Sequence, residues 1–121
     1  MARADAPVAS GGARAEALAV EYLARRGLTI VARNYRTRRG EIDVVARDRG
    51  TLVFVEVRLR SGAAFGGAAA SITPAKRARL VAAAEAYLAT LGRVPPCRFD
   101  AVLLESLDPP RIAWERGVIE A

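Results

Sequence analysis

The chain has 121 residues, 52% of them hydrophobic and 26% charged, a composition that describes one globular domain. A chain of this length buries roughly two-thirds of its extended surface and needs no disulfide or metal staple to fold. It has no histidine and one cysteine. That excludes Ser-His-Asp and Cys-His catalysis, His-ligated zinc or haem, and a disulfide framework.

The formal net charge is +6, and all the basic residues but Lys76 are arginine. Residues 1–60 hold 12 basic and 7 acidic side chains, whereas residues 61–121 hold 7 and 6. The excess is densest at Arg33, Arg36, Arg38 and Arg39. Such a stretch suits a polyanionic partner, and it equally suits a solvated face. No apolar run approaches membrane-spanning length. The first residues carry Asp5 and Pro7 and lack the apolar region of a secretory signal. The expectation is a cytoplasmic protein with no membrane partner, in which Cys97 beside Pro96 is a small apolar filler.

In chain order, residues 1–12 read as a flexible lead-in. Residues 13–26, rich in Ala, Leu, Glu and Arg and stopped by Gly27, predict a helix. Leu28 to Ala32 is a short β-branched run, and Asn34 to Arg39 reads as a basic loop. EIDVVARD (41–48) and TLVFVEVRL (51–59) predict two strands joined at Arg49-Gly50, with Gly50 supplying the positive φ of a tight hairpin. Residues 61–71 are mostly Gly, Ala and Ser and read as a loop. Thr73-Pro74 predicts the N-cap and first position of a second helix, running to about Leu91 and ending at Gly92. RFDAVLLE (98–105) predicts a strand, and RIAWE (111–115) an edge strand beyond Pro109-Pro110. The order α-β-β-β-α-β plus an extra strand fits one mixed sheet with helices packed on it. The domain is then 13–115, with 116–121 as a tail.

The hairpin register carries the chemistry. With Arg49-Gly50 as a two-residue loop, Asp48 faces Thr51, Asp43 faces Glu56 and Glu41 faces Arg58. Alternation puts Glu41, Asp43, Glu56 and Arg58 on one face, which Leu52 and Phe54 continue inward, while Val53, Val55 and Val57 line the other. Cross-strand neighbours have Cβ atoms about 5 Å apart, so the two carboxylates repel unless something positive joins them. A divalent metal is one answer, since hard oxygen ligands suit Mg²⁺ or Mn²⁺. A structural salt bridge to Arg58 is the other.

Two further residues are candidates. Glu21 precedes Arg25 by four residues and reads as a solvated pair. Glu16 instead shares a stripe with Ala19, Val20 and Leu23, either as a first-turn acid favoured by the helix dipole or as one aimed into a site. Lys76 shares the stripe of Leu80, Ala83 and Tyr87 at the start of the second helix. There it either snorkels to water or meets a phosphate, with Arg77 and Arg79 enlarging the patch.

The stretch GEIDVVARDRGTLVFVEVRLR, the helix with Glu16, Phe65-Gly66, Lys76-Arg77 and Arg98-Phe99-Asp100 together resemble the bacterial YraN family. That family is similar to archaeal Holliday-junction resolvases and to the PD-(D/E)xK nuclease superfamily. The resemblance covers about residues 10–105. It implies a restriction-endonuclease-like α/β fold, an αβββαβ core whose mixed central sheet is flanked by helices. It also implies that Asp43, Glu56 and the Val57 carbonyl are metal ligands for Mg²⁺ or Mn²⁺, with Glu16 as the helix glutamate of resolvase-like members. Arg58 stands where the superfamily pattern has lysine. Arginine keeps the charge but cannot act as a general base.

The function this implies is metal-dependent hydrolysis of DNA phosphodiesters, at branched or otherwise structured sites. Asp43, Glu56, Arg58 and Glu16 form the catalytic set, and Arg36, Arg38, Arg39, Lys76 and Arg77 hold nucleic-acid phosphates. Resolvase-like relatives act as dimers, so a homodimer is part of that expectation. The competing reading is a non-catalytic nucleic-acid-binding module that keeps the fold. A structural adaptor that touches no nucleic acid leaves the acidic hairpin face unexplained.

Overall fold

A computed structural model describes residues 11–59 and 72–119. Helix α1 (Gly11–Arg25) leads into strands β1 (Thr29–Thr37), β2 (Gly40–Asp48) and β3 (Thr51–Leu59). Helix α2 (Pro74–Ala89) is followed by β4 (Cys97–Leu107) and β5 (Pro110–Ile119). The strands form one sheet in the order β1-β2-β3-β4-β5. Only β3 and β4 run parallel, which is what the crossover through α2 permits; the other neighbours are antiparallel. This is a mixed sheet with a helix on each face, the restriction-endonuclease-like αβββαβ core with one added edge strand.

The two faces follow from the alternation along β3. Val53 and Val55 pack with Val44, Ala46, Val102 and Leu104 under Ala15, Ala19 and Leu23 of α1. Leu52 and Phe54 pack with Val45 and Phe99 under Leu80, Ala83 and Ala84 of α2. Strands buried on both sides read as nearly continuous apolar runs, as TLVFVEVRL does. Among the described residues no helix is long and apolar enough to cross a membrane.

Thr73 caps α2 as expected, its hydroxyl accepting the Lys76 amide, with Pro74 at the first position. Other expectations are corrected. The basic stretch is no loop: β1 continues through Asn34, Tyr35 and Arg36 to Thr37, leaving Arg38 and Arg39 alone in the turn. Asn34 takes a left-handed φ of 54°, which a short polar side chain tolerates inside a bent strand. At the β2–β3 turn the left-handed residue is Arg49, with φ of 60°, rather than Gly50. Strand β5 runs past residue 115 to Ile119, which is buried against the α2 side. Cys97 is exposed rather than a filler. Phe65-Gly66, most of the Gly/Ala/Ser stretch and the first ten residues lie outside the described residues.

Asp100 joins the two last strands. It is the one fully buried charged side chain among the described residues. Its carboxylate accepts hydrogen bonds from Arg98 Nε, Trp114 Nε1 and the Gly117 amide at 3.0 Å each. A buried charge survives only with such a set of partners.

Candidate functional site

The β2–β3 pairs run from Asp48–Thr51, as the two-residue loop requires, to Val44–Val55. Beyond them the Asp43 side chain takes over: its Oδ2 accepts the Val57 amide at 2.8 Å. Strict alternation along β2 also breaks here. Ile42 and Val45, three residues apart, both pack on the α2 side, opposite the Asn34 bend of β1. Asp43 thus sits where the alternation breaks, lining one cavity with residues of α2 and another with residues of α1.

One cavity is lined by Glu41, Asp43, Glu56, Val57, Arg58, Lys76 and Arg79. The two-residue turn brings the acids and Arg58 to one cavity, but not by the expected strict alternation, which breaks between Ile42 and Val45. Glu41 pairs with Arg36 on β1, its carboxylate 3.4 Å from Arg36 Nε, rather than standing across from Arg58. Lys76 enters from the first turn of α2, as its stripe with Leu80 and Ala83 requires. Arg79 lies one turn further on; its role follows from Gly40. A Cβ at Gly40 would overlap the Arg79 backbone carbonyl, so the β1–β2 turn docks directly on the backbone of α2. Only glycine permits that approach. The Thr37 hydroxyl tightens the same turn by accepting the Arg39 and Gly40 amides.

The electrostatics are those of crowded acids. Burial pushes the Asp43 carboxyl up to about 7; the Val57 amide opposes this, and Glu56, Glu16 and Glu41 add to it. Glu56 is also raised, by burial first, with Arg58 opposing. Arg58 Nη1 is 3.7 Å from Glu56 Oε2, too long for a hydrogen bond. The Arg58 Nε is buried and has no hydrogen-bond partner among the described residues. The salt bridge thus satisfies Arg58 poorly and leaves the pair of carboxylates under-compensated.

The remaining predicted residues are dispersed. Glu16 lines a second cavity with Glu41, Asp43 and Val57, but its Oε1 accepts from Asn34 Nδ2 at 3.0 Å and Arg33 Nη2 at 3.3 Å. Among the described residues, no three acidic or thiol groups gather tightly enough to hold an ion alone. Glu21 and Arg25 form the expected exposed pair at 3.0 Å. Arg77 is exposed and does not line the Asp43 cavity. Arg36, Arg38 and Arg39 border a groove with Ala82, Glu85 and Ala86 of α2. Arg38 and Arg39 make no ion pair among the described residues, whereas Arg36 is committed to Glu41.

The donors present fit a small divalent cation. Mg²⁺ binds through one or two carboxylates and keeps several waters, so Asp43, Glu56 and one carbonyl suffice where a three-acid cage is absent.

The mixed sheet and its two helices give the αβββαβ core of the restriction-endonuclease-like fold. Residues 15–104 match the family described as uncharacterised protein family UPF0102. The chain is 61% identical over 111 residues to a UPF0102 protein of Cupriavidus taiwanensis, covering 91% of this chain and 82% of that one. It is 54% identical over 110 residues to one of Methylobacillus flagellatus, covering 91% and 96%. A relative in Nitrosomonas europaea is 49% identical over 109 residues, covering 90% and 92%. This chain belongs to the UPF0102 family, the YraN family of the motif resemblance.

Proposed function

We propose that this protein hydrolyses DNA phosphodiesters in a reaction that requires Mg²⁺ or Mn²⁺. The observation that carries this reading is Asp43 beside Glu56, two half-buried carboxylates of raised pKa in one cavity with Arg58, Lys76 and Arg79. Adjacent buried acids need a proton or a cation between them. Asp43, Glu56 and the Val57 carbonyl would hold the ion. It would supply Lewis acidity toward the phosphate and a more acidic water.

The chain's own residues supply the rest. Arg58, beside Glu56, offsets charge building on the non-bridging oxygens. It cannot accept a proton at neutral pH, which leaves Lys76 as the only amine among the described residues that line the cavity. Arg38 and Arg39 grip backbone phosphates without reading bases, and Arg36 joins them by exchanging Glu41 for phosphate. Glu16 acts through Asn34 and Arg33, holding the β1 bend that presents Asp43.

A non-catalytic DNA-binding module is the second reading, favoured by arginine at position 58 where the superfamily pattern has lysine. Cleavage separates the two. The purified protein with Mg²⁺ or Mn²⁺ should cut linear, flapped or four-way DNA, and Asp43→Ala should not. Binding without cleavage under either metal leaves the module.

A further inference from the structure

A second charged cleft opens at the other end of the same strands. It is lined by Arg26, Asp48, Arg49, Thr51, Arg98 and Arg116, with Gly27, and holds about 660 Å³. Asp48 is five residues beyond Asp43 on β2, about 16 Å away at the rise of an extended strand. The cleft is therefore separate from the carboxylate cavity.

We propose that this cleft binds a phosphoryl group. Four arginines line it against one carboxylate. Asp48 and the buried Asp100 both serve Arg98, at 3.0 Å each. Arg26, Arg49 and Arg116 make no ion pair among the described residues.

Three of the four guanidinium groups are also held in place before any ligand arrives. Arg98 is fixed by its two aspartates. Arg26 lies over the Tyr22 ring with its Cζ 3.6 Å from the centroid, and Arg116 lies over Trp114 at 4.3 Å. The two rings meet edge to face at 6.5 Å, bracing α1 against β5. Stacking engages the guanidinium face and leaves the N–H edges available for oxygen acceptors. A planar fork with free edges matches phosphate in two-point contact, and pre-ordering removes much of the entropic cost of binding. The Thr51 hydroxyl adds a neutral donor to the lining. The shared chemistry is a phosphate ester, carried either by a free nucleotide or by a nucleic-acid strand.

The test is a titration of the full chain followed by the arginine Nε–Hε signals in ¹H–¹⁵N spectra. Inorganic phosphate and a nucleoside 5′-monophosphate are the probes, and a short oligonucleotide is the competitor. The monophosphate should shift Arg26, Arg49 and Arg116 saturably. Arg49→Gln, on an exposed turn, should weaken binding about tenfold, and adding Arg116→Gln should abolish it. Asp43→Ala should bind like the parent, so the result stands whether or not the protein cuts DNA. Displacement by the oligonucleotide identifies a strand phosphate; no displacement identifies a free nucleotide. Absence of saturable shifts with either phosphate probe overturns the proposal. So does unchanged affinity in Arg49→Gln that unfolds at the parent temperature.

Discussion

The Asp43 carboxylate accepts the Val57 amide at 2.8 Å, one step beyond the last paired residues of β2 and β3. A side chain thus continues the ladder where the backbones part, and it anchors the acid beside Glu56. The anchor does not neutralise it: the carboxyl stays raised from 3.8 to about 7, with burial the main cause.

That shift has a sign. An acid raised on folding opposes stability in its charged form. The penalty is absent below about pH 4, where folded and unfolded chains are both protonated, and complete above about pH 7. Metal-free protein should therefore lose stability between pH 5 and pH 8, by on the order of 2 kcal/mol from Asp43 alone. Asp43→Asn keeps an acceptor for Val57 and removes the charge. Urea midpoints at the two pH values should differ less in this variant, and an equal difference would show that Asp43 is not the titrating group.

Arg58 is poorly satisfied where it stands, with a buried Nε that has no hydrogen-bond partner among the described residues. Lysine has no such atom, so Arg58→Lys should fold at least as stably. It should also raise cleavage about tenfold, which is about 1.4 kcal/mol of barrier, and leave metal affinity unchanged. If Lys76 already supplies the amine, Arg58→Lys will change little and Lys76→Ala will abolish cleavage. Single-turnover rates on both variants separate these outcomes.

Gly40 allows the basic turn to touch α2, and Gly50 touches nothing with a would-be Cβ. Gly40→Ala should cost about 1–3 kcal/mol by forcing α2 away. Gly50→Ala should stay within about 0.5 kcal/mol. Thermal unfolding of the pair checks this. Equal effects would mean that the docking of the turn on Arg79 is not what Gly40 provides.

Phosphate contacts release counterions. Arg38→Gln and Arg39→Gln should each flatten the salt dependence of duplex binding by about 0.9 in slope. Arg36→Gln should flatten it less, because Glu41 already compensates that charge in the free protein. An unchanged slope in all three would mean that the turn is only a solvated face.

The hairpin register was legible from its two-residue turn, which pairs Asp48 with Thr51, whereas the break in alternation at Asp43 was not, because it depends on how Ile42 and Val45 pack under α2. The β1 extension was not, since Asn34 with its neighbouring arginines has the composition of a loop and only the tertiary bend accommodates it as strand. Glu16 was read either as a first-turn acid or as one aimed into a site, and its partners Arg33 and Asn34 come from that unread strand. Arg79 and Gly40 carry no periodic signal of their contact, which depends on how a turn meets a helix. Asp100 lay in view within an apolar run; its role needs the β4–β5 register that brings Trp114 and Gly117 to it.

The cation site is tested most directly by titrating Mn²⁺ into the full-length protein and following free Mn²⁺ by electron paramagnetic resonance, beside Asp43→Asn and Glu56→Gln. The parent should bind one ion saturably, in competition with Mg²⁺, and each variant should lose most of that affinity while remaining folded. Equal binding by all three proteins, or none by the parent, would contradict a metal site at Asp43 and Glu56.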